Sequence, residues 1–281
     1  MRLITDRAIV LRVVAFEDRH RVVTALSENY GKISALARNS VQSRRFGGAL
    51  EIFTAAEWKV SERSDQAELW SLQEARAIRA YEGLRSDLGL MAMAGVFSEL
   101  MIRVAPEKEA CPDLFKLHAN GLAALEDLFK GSASQPPTSF LNGYLAKLLQ
   151  WSGSQPSLSA CRGCSRKLQD YWSSGVMDAP LWVLVADAGW VCQVCKQGAV
   201  SEMDGPQVTS GAMADFYMSL VTPIRQIPST AQSSEQEHRS LFRVLEALLI
   251  YHLPGFDRIP MKSLKFLGLE STWQPPSDHV R

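Results

Sequence analysis

Four of the five cysteines fall in two Cys-x-x-Cys pairs, Cys161-Arg162-Gly163-Cys164 and Cys192-Gln193-Val194-Cys195. Two thiolates at i and i+3 of a tight turn can reach one ion, and Gly163 lets the backbone make that turn. Two such knuckles supply four soft ligands in tetrahedral array, the set that suits Zn²⁺. With all four positions filled no site is left for water, so the ion is expected to be structural rather than catalytic. The span also lacks the His and Glu that a zinc deaminase or protease places near its metal. Chance spacing of four thiols is one competing reading. A thioredoxin-like redox pair is another, but it needs a single pair on a βαβ unit, which this context does not offer. The 27 residues between the pairs exceed the usual ribbon spacing of about 15–20. They contain Leu181-Trp182-Val183-Leu184-Val185, an expected strand or core segment. Cys111 stands apart and reads as a small buried filler rather than a nucleophile.

A second constellation is basic. Asn39-Ser40-Val41-Gln42-Ser43-Arg44-Arg45-Phe46-Gly47-Gly48 is polar, ends in glycines and carries two adjacent arginines. Guanidinium groups fork onto phosphate oxygens, and Ser43 and backbone N–H groups could add contacts. Gly31 to Leu50 holds Lys32, Arg38, Arg44 and Arg45 with no acid, and Arg12, Arg19 and Arg21 could extend the patch. That asymmetry points to nucleic acid. An ordinary solvated loop remains the alternative. Phe46 reads as a plug in a barrel end in preference to a base-stacking platform, and Tyr30 is a second aromatic within reach.

Recognised catalytic spacings are missing. There is no Gly-x-x-x-x-Gly-Lys-Ser/Thr, Gly-x-Gly-x-x-Gly, His-Glu-x-x-His or Gly-x-Ser-x-Gly. The five histidines are scattered, and His118 and His252 read as structural residues on helices. Met91, Met93, Phe97 and Met101 read as helix core.

The elements that must hold these groups change character along the chain. Strands fit Ala8–Val14, Val22–Leu26, Lys32–Arg38, Leu50–Val60 and Ala67–Leu72, a spacing that suggests a small closed barrel; an SH3-like barrel would read similarly. From Glu74 the period becomes helical. Glu74–Val104 reads as a long helical region bending near Gly83 or Gly89, followed by Asp113–Phe129 and by Thr138–Trp151 with Thr138 as a cap. After the cysteine region helices resume at Ser210–Leu220 and Glu235–Leu253, with a short one over Met261–Leu267. Ile227–Ser234 reads as an exposed linker. The chain has 281 residues, 46% hydrophobic and 21% charged, with 30 Lys+Arg against 30 Asp+Glu. That length suggests about two domains, and neutrality excludes a uniformly basic, histone-like binder. Residues 1–50 nonetheless carry nine Lys/Arg against four Asp/Glu. The charged start and the short apolar runs predict no signal peptide and no membrane span. A cytoplasmic location is expected.

The sequence resembles the RecO family of bacterial recombination mediators and DNA repair proteins. Ala8-Ile9-Val10-Leu11-Arg12 resembles the family's first strand, and Thr24 to Arg38, with its Tyr30-Gly31-Lys32-Ile33-Ser34 centre, resembles the segment after it. Ser43-Arg44-Arg45-Phe46-Gly47-Gly48-Ala49-Leu50-Glu51-Ile52-Phe53 resembles the family's basic loop. The two knuckles match its zinc-bearing members, and Lys262-Ser263-Leu264-Lys265-Phe266-Leu267 resembles its ending. These stretches occur in the family's order over nearly the whole chain.

The resemblance implies a multi-domain α+β fold. An N-terminal OB-fold β-barrel would cover 1–78, a helical domain 79–157 and 202–281, and an inserted four-cysteine zinc module 158–201. It implies a mediator without enzymatic turnover that binds single- and double-stranded DNA and anneals complementary strands. With RecR, such proteins displace single-strand-binding protein and help load RecA. By position Lys32, Arg38, Arg44 and Arg45 would contact DNA, with Arg12, Arg19 and Arg21 beside them. Lys262 and Lys265 would form a second basic surface. Asn39-Ser40-Val41 stands where the family usually has a Gly and a further basic residue, which implies weaker stand-alone binding and more dependence on partners. Two other functions compete. One is a zinc-containing protein-interaction adaptor without intrinsic DNA binding. The other is an enzyme with a zinc-stabilised lid, for which no catalytic spacing speaks.

Overall fold

The computed structural model describes residues 2–41, 43–62, 69–132, 136–198, 205–256 and 261–269. The chain forms two compact units, Met1–Ser134 and Gln135–Arg281.

The first unit begins with five strands: β1 (Arg2–Phe16), β2 (His20–Ser27), β3 (Gly31–Ala37), β4 (Ala55–Glu62) and β5 (Trp70–Arg79). They close into a barrel in the order β1-β2-β3-β5-β4. All pairings are antiparallel except β3 with β5, where Ala35 meets Trp70. A five-stranded closed barrel with this order is the OB-fold arrangement. Closure depends on the length of β1. Its first half, Arg2 to Ile9, pairs with Glu62 to Ala55 of β4, and Ala8 to Phe16 pairs with Ser27 to His20 of β2. Side chains alternate in and out along β3 as period-two geometry requires, with Ile33, Ala35 and Ala37 inward. Trp58, Trp70, Val10, Val23 and Val60 fill the interior, and Phe46 joins them at 1% exposure.

β1 and β2 run beyond the Ala8–Val14 and Val22–Leu26 expected for them, Ala67 and Glu68 of the last expected strand lie outside the described residues, and two further boundaries differ in kind. Leu50–Thr54 is not strand: Phe53 takes φ 70, and Phe53 N–H donates to Val10 O while Val10 N–H donates to Thr54 O. Glu74–Arg79 is strand rather than helix. Glu-Ala-Arg-Ala carries good helix propensity, but pairing of Glu74 with Lys59, Arg76 with Glu57 and Ala77 with Ala56 overrides it. The helical region therefore starts later, with α1 (Glu82–Ser86) and α2 (Leu88–Val104). The break between them falls at Asp87, between the two glycines expected to bend it, and Asp87 caps α2 by accepting the Leu90 N–H at 2.8 Å. α3 (Pro112–Phe129) completes the unit. Its Glu126 accepts the N–H of Gly83 at 2.8 Å, where α1 begins, and also binds Arg79 at 3.1 Å.

The turn between β2 and β3 is locked onto the α2–α3 connection. Gly31, at φ +60, lies so close to this segment that a Cβ would sit 2.1 Å from Glu109 O. The carboxylate of Asp6 is buried here and accepts hydrogen bonds from Ser27 Oγ and from Asn29 N and Nδ2.

The second unit packs α4 (Thr138–Trp151), α7 (Ser210–Val221) and α9 (Glu235–His252) together. Between α4 and α7 the chain forms α5 (Leu168–Ser173), β6 (Pro180–Leu184), β7 (Gly189–Cys192), α6 (Gln193–Gly198) and β8 (Gln207–Thr209), the strands making a sheet in the order β7-β6-β8. Thr138 is not the cap of α4. Pro137 holds that place, and Thr138 Oγ1 donates to the Glu235 carboxylate instead. Ile227–Ser234 is exposed at Ser229, Thr230, Gln232 and Ser234 as expected, but it is anchored rather than a free linker. α8 (Ile227–Thr230) buries Ile227 at 3% exposure, and the buried carboxylate of Asp215 accepts the N–H groups of Gln232 and Ser233. A 3₁₀ helix covers Lys262–Leu267. Among the described residues no helix is long and apolar enough to cross a membrane.

Candidate metal centre and nucleic-acid interface

The four cysteines of the two pairs come together. Their Sγ atoms all lie within 4.8 Å of one another, with Cys164 and Cys192 at 3.7 Å. Ligands about 2.3 Å from a tetrahedral ion stand about 3.8 Å apart, so the spacing fits one ion and is far beyond an S–S bond. The long gap between the pairs is explained by what it contains. β6 and β7 form a hairpin in which Leu181 pairs with Cys192, and this carries the second knuckle back over the first. Trp190, fully buried, anchors the hairpin by donating Nε1–H to Leu158 O at 3.0 Å, while Arg162 N–H donates to Trp190 O at 2.9 Å. The expected strand at Leu181–Val185 is thus the arm that places the ligands.

The first knuckle turns tightly. Ser165 takes φ 61 and donates its N–H to Cys161 O, and a Cβ on Gly163 would lie 2.7 Å from Cys195 Sγ. Glycine is required there by the sulfur itself. Burial raises the Cys161 thiol, but N–H groups of Cys192, Cys164 and Gly163 outweigh it and bring the pKa to about 7. Burial, helped by the Cys164 and Cys161 sulfurs and opposed by Cys195, pushes Cys192 the other way. A divalent cation at the centre reverses that competition by stabilising every thiolate together. Four thiolates around one point are a soft, closed donor set. Cys111 lies outside it, half-buried, its thiol pushed up to about 11 by burial and by Glu109, which suits a filler and not a nucleophile.

The arginines gather at one end of the barrel. Val41 N–H donates to Arg19 O, Asn39 N–H to His20 Nδ1 at 2.9 Å, and Arg45 Nη2 to Arg38 O at 3.4 Å, so the β1–β2 turn and the basic loop meet there. Arg21 is paired opposite Ala37, beside Arg38. Among the described residues Arg12, Arg19, Arg38 and Arg44 are exposed and have no acidic partner. Arg21 reaches Glu51 at 3.3 Å. Arg45 is bonded to Ser43 Oγ and its guanidinium lies 5.4 Å from the Phe46 ring centre. Phe46 plugs the barrel, and Tyr30 packs edge-on against Trp70 at 5.5 Å, so neither ring is presented to a base.

Lys32 is placed elsewhere. Arg38, just past the end of β3, is six positions further along the chain, about 20 Å of extended strand. Its ammonium donates to Ile102 O at 2.7 Å, near the C-terminus of α2, and lies 3.4 Å from Glu107. Lys262 and Lys265 lie exposed on the 3₁₀ helix of the second unit, with the Lys265 ammonium 4.9 Å over the Phe266 ring.

The sequence reading passed over Val14 and Phe16, which are 41% and 46% exposed. Val14 closes the strand expected over Ala8–Val14, and Phe16 lies two residues beyond it. The register shift in β1 between Val10 and Arg12 moves the outward positions from Ile9 to Arg12, Val14 and Phe16. No sequence signal marks that extra residue.

Known proteins match the chain over most of its length. Residues 1–81 match the family described as Recombination protein O N terminal, and residues 85–260 match Recombination protein O C terminal. The DNA repair protein RecO of Anaeromyxobacter dehalogenans (strain 2CP-C) is 30% identical over 85% of this chain and 88% of its own. The DNA repair protein RecO of Desulfatibacillum aliphaticivorans is 29% identical over 94% of this chain and 96% of its own. That of Pelobacter propionicus is 31% identical over 93% and 94%. With both family halves matched in order along the sequence, the chain belongs to the RecO family of DNA repair proteins.

Proposed function

We propose that the protein is a recombination mediator that binds single- and double-stranded DNA, anneals complementary strands and, with RecR, helps load RecA onto DNA coated by single-strand-binding protein. Residues 1–78 would be the nucleic-acid-binding domain, with 158–201 a zinc insert in a helical part formed by 79–157 and 202–281. The observation that carries the reading is the convergence of Arg19, Arg38, Arg44 and Arg45 at one barrel end, none of them with an acidic partner among the described residues. Guanidinium groups held on a closed barrel grip phosphates and leave bases free to pair, and neutralising two backbones removes the repulsion that slows annealing. Lys262 and Lys265 would give a second basic surface. Zn²⁺ held by Cys161, Cys164, Cys192 and Cys195 would fix the hairpin and knuckles, and no step would need turnover. The protein would work in the cytoplasm, at the nucleoid when bound to DNA.

The test is anisotropy of a labelled single-stranded oligonucleotide titrated at several salt concentrations. Arg44→Ala/Arg45→Ala should weaken binding and make the salt dependence shallower by about 0.7 for each lost phosphate contact on the single strand. A double variant that binds as the wild type does at every salt concentration would leave the loop as ordinary surface and favour an adaptor.

A further inference from the structure

The four clustered sulfurs are not equally sheltered. Cys161 and Cys192 are buried, Cys195 is half-buried, and Cys164 is exposed. The fold sets this asymmetry. Cys192 sits in the hairpin opposite Leu181, and its N–H donates to Cys161 Sγ at 3.3 Å, so these two cysteines lie together inside. Cys164 falls in the run Arg162 to Lys167, which is exposed throughout.

That run is also rich in cations. Arg162, Arg166 and Lys167 lie within three residues of Cys164. Arg162 is pinned beside the hairpin turn, where its Nη2 donates to Asp187 O at 2.9 Å and its side chain fills the place a Cβ on Gly189 would take. The Arg166 guanidinium stands 4.2 Å over the Tyr171 ring. Two acids, Asp170 and Asp187, are exposed nearby. Asp170 accepts the backbone N–H of Lys167 at 3.1 Å, and neither acid forms an ion pair with the three cations. Reactive cysteines are accessible thiolates in electropositive surroundings, whereas buried structural ones are inert. Of the five cysteines Cys164 alone is exposed.

A sulfur oxidised at this position has a partner in reach. Cys192 Sγ lies 3.7 Å away, against about 2.05 Å for an S–S bond, so a small closing movement joins them. The two residues are 28 apart along the chain and belong to different knuckles. A bond between them ties the hairpin to the first knuckle, as a shared ion does. A bond within either Cys-x-x-Cys pair leaves the knuckles independent of each other.

We propose that Cys164 is a site of oxidation by peroxide, and that Cys192 resolves it into a disulfide joining the two knuckles. The proposal rests on the zinc reading above and adds the way the centre opens. The Cys164 thiolate attacks one oxygen of hydrogen peroxide, the O–O bond breaks, and the products are the Cys164 sulfenic acid and hydroxide. The Cys192 thiolate then attacks the Cys164 sulfur, the S–O bond breaks, and a second hydroxide leaves as the S–S bond forms. Each of the two sulfurs formally gives up one electron, each peroxide oxygen gains one, and solvent protons neutralise both hydroxides. Two of the four donors are consumed, and Cys161 with Cys195 no longer makes the closed set that retains Zn²⁺. A reducing thiol reverses the bond by exchange.

The experiment uses the full chain loaded with Zn²⁺ and treated with stoichiometric hydrogen peroxide. A chromophoric chelator reads the zinc released, and peptide mapping without reduction reads the sulfurs. With dimedone present, the first adduct should fall on Cys164. Without it, the linked Cys164 and Cys192 peptides should appear in step with complete loss of zinc, while Cys161 and Cys195 stay open to alkylation. Dithiothreitol followed by added Zn²⁺ should restore both thiols and the metal. A first adduct on Cys111, Cys161 or Cys195 would overturn the proposal, and so would a disulfide confined to either Cys-x-x-Cys pair. Zinc retained with all four thiols intact would overturn it as well. If the chain neither carries zinc nor takes it up, the zinc reading fails first; if zinc is held and another sulfur is oxidised, only the oxidation site fails.

Discussion

The carboxylate of Asp215 lies 3.4 Å from His238 Nε2, with both side chains nearly sealed from solvent between α7 and α9. The same carboxylate accepts the N–H groups of Gln232 at 3.1 Å and Ser233 at 2.9 Å, just ahead of the Ser234 cap of α9. Burial holds the His238 pKa below its ordinary value against the pull of Asp215, Glu235 and Glu237. Asp215 therefore acts chiefly as a backbone clamp on the chain entering α9. Asp215→Ala strands two donors at about 1–3 kcal/mol of local stability. Amide exchange at Gln232 and Ser233 should accelerate correspondingly; protection equal to wild type would mean the clamp contributes nothing.

Acid should destabilise the first unit through His118. This imidazole on α3 is fully buried, and burial takes its pKa from 6.5 down to about 3. The unfolded chain takes up a proton near pH 6.5 that the folded chain refuses until about pH 3. The stability is thus whole above pH 6.5 and is lost as pH falls through that window, at about 1.4 kcal/mol per unit. Urea midpoints at pH 7.5, 6.0 and 5.0 should fall in that order, and His118→Gln should flatten the trend. A slope identical in the variant would assign the acid sensitivity to other groups.

Gly163→Ala should damage the metal centre without removing a ligand. The added methyl meets Cys195 Sγ at 2.7 Å, so one sulfur must leave its place. Competition with a chromophoric chelator should show Zn²⁺ held roughly 10- to 100-fold more weakly, the range seen when support around a ligand is lost. Equal zinc affinity in wild type and variant would contradict the closed packing of the knuckles.

Gly31→Ala should be far more costly than an ordinary surface substitution. The position combines φ +60 with a Cβ position 2.1 Å from a backbone oxygen, which cannot rotate away. Strain and displacement together should lower stability by about 2–3 kcal/mol or more. Thermal melting that matches wild type would show that the α2–α3 connection yields freely.

The chemistry of the thiols was legible because ligand spacing is local: Cys-x-x-Cys fixes i and i+3 whatever the rest does. Strand β3 was legible because Lys32 to Arg38 alternates cleanly. α4, Thr138–Trp151, was legible between two breaker loops. What failed depended on distant partners. Glu74–Arg79 has the residues of a helix and becomes strand only because β4 lies beside it. The buried carboxylate of Asp215 pins down what reads as a polar linker. Lys32 reads as one more cation of the basic stretch, yet its ammonium is bonded to the end of α2, a place set by tertiary packing. Val14 and Phe16 were missed because a single extra residue in β1 decides which side chains face out.

The double duty of β1 has a consequence for the order of events during synthesis. The 15 residues of β1 are made before either of their partner strands, and the pairing of their second half with β2 is close in sequence. Their first half must wait for Ala55–Glu62, which is made well after the β1–β2–β3 meander, and for β5 to seal β3. Until then the nascent chain carries an open edge from Arg2 to Ile9, the kind of edge that recruits foreign strands. Nonlocal closure of this type is slow, so the interval is one in which a chaperone at the tunnel exit would meet an unfinished sheet.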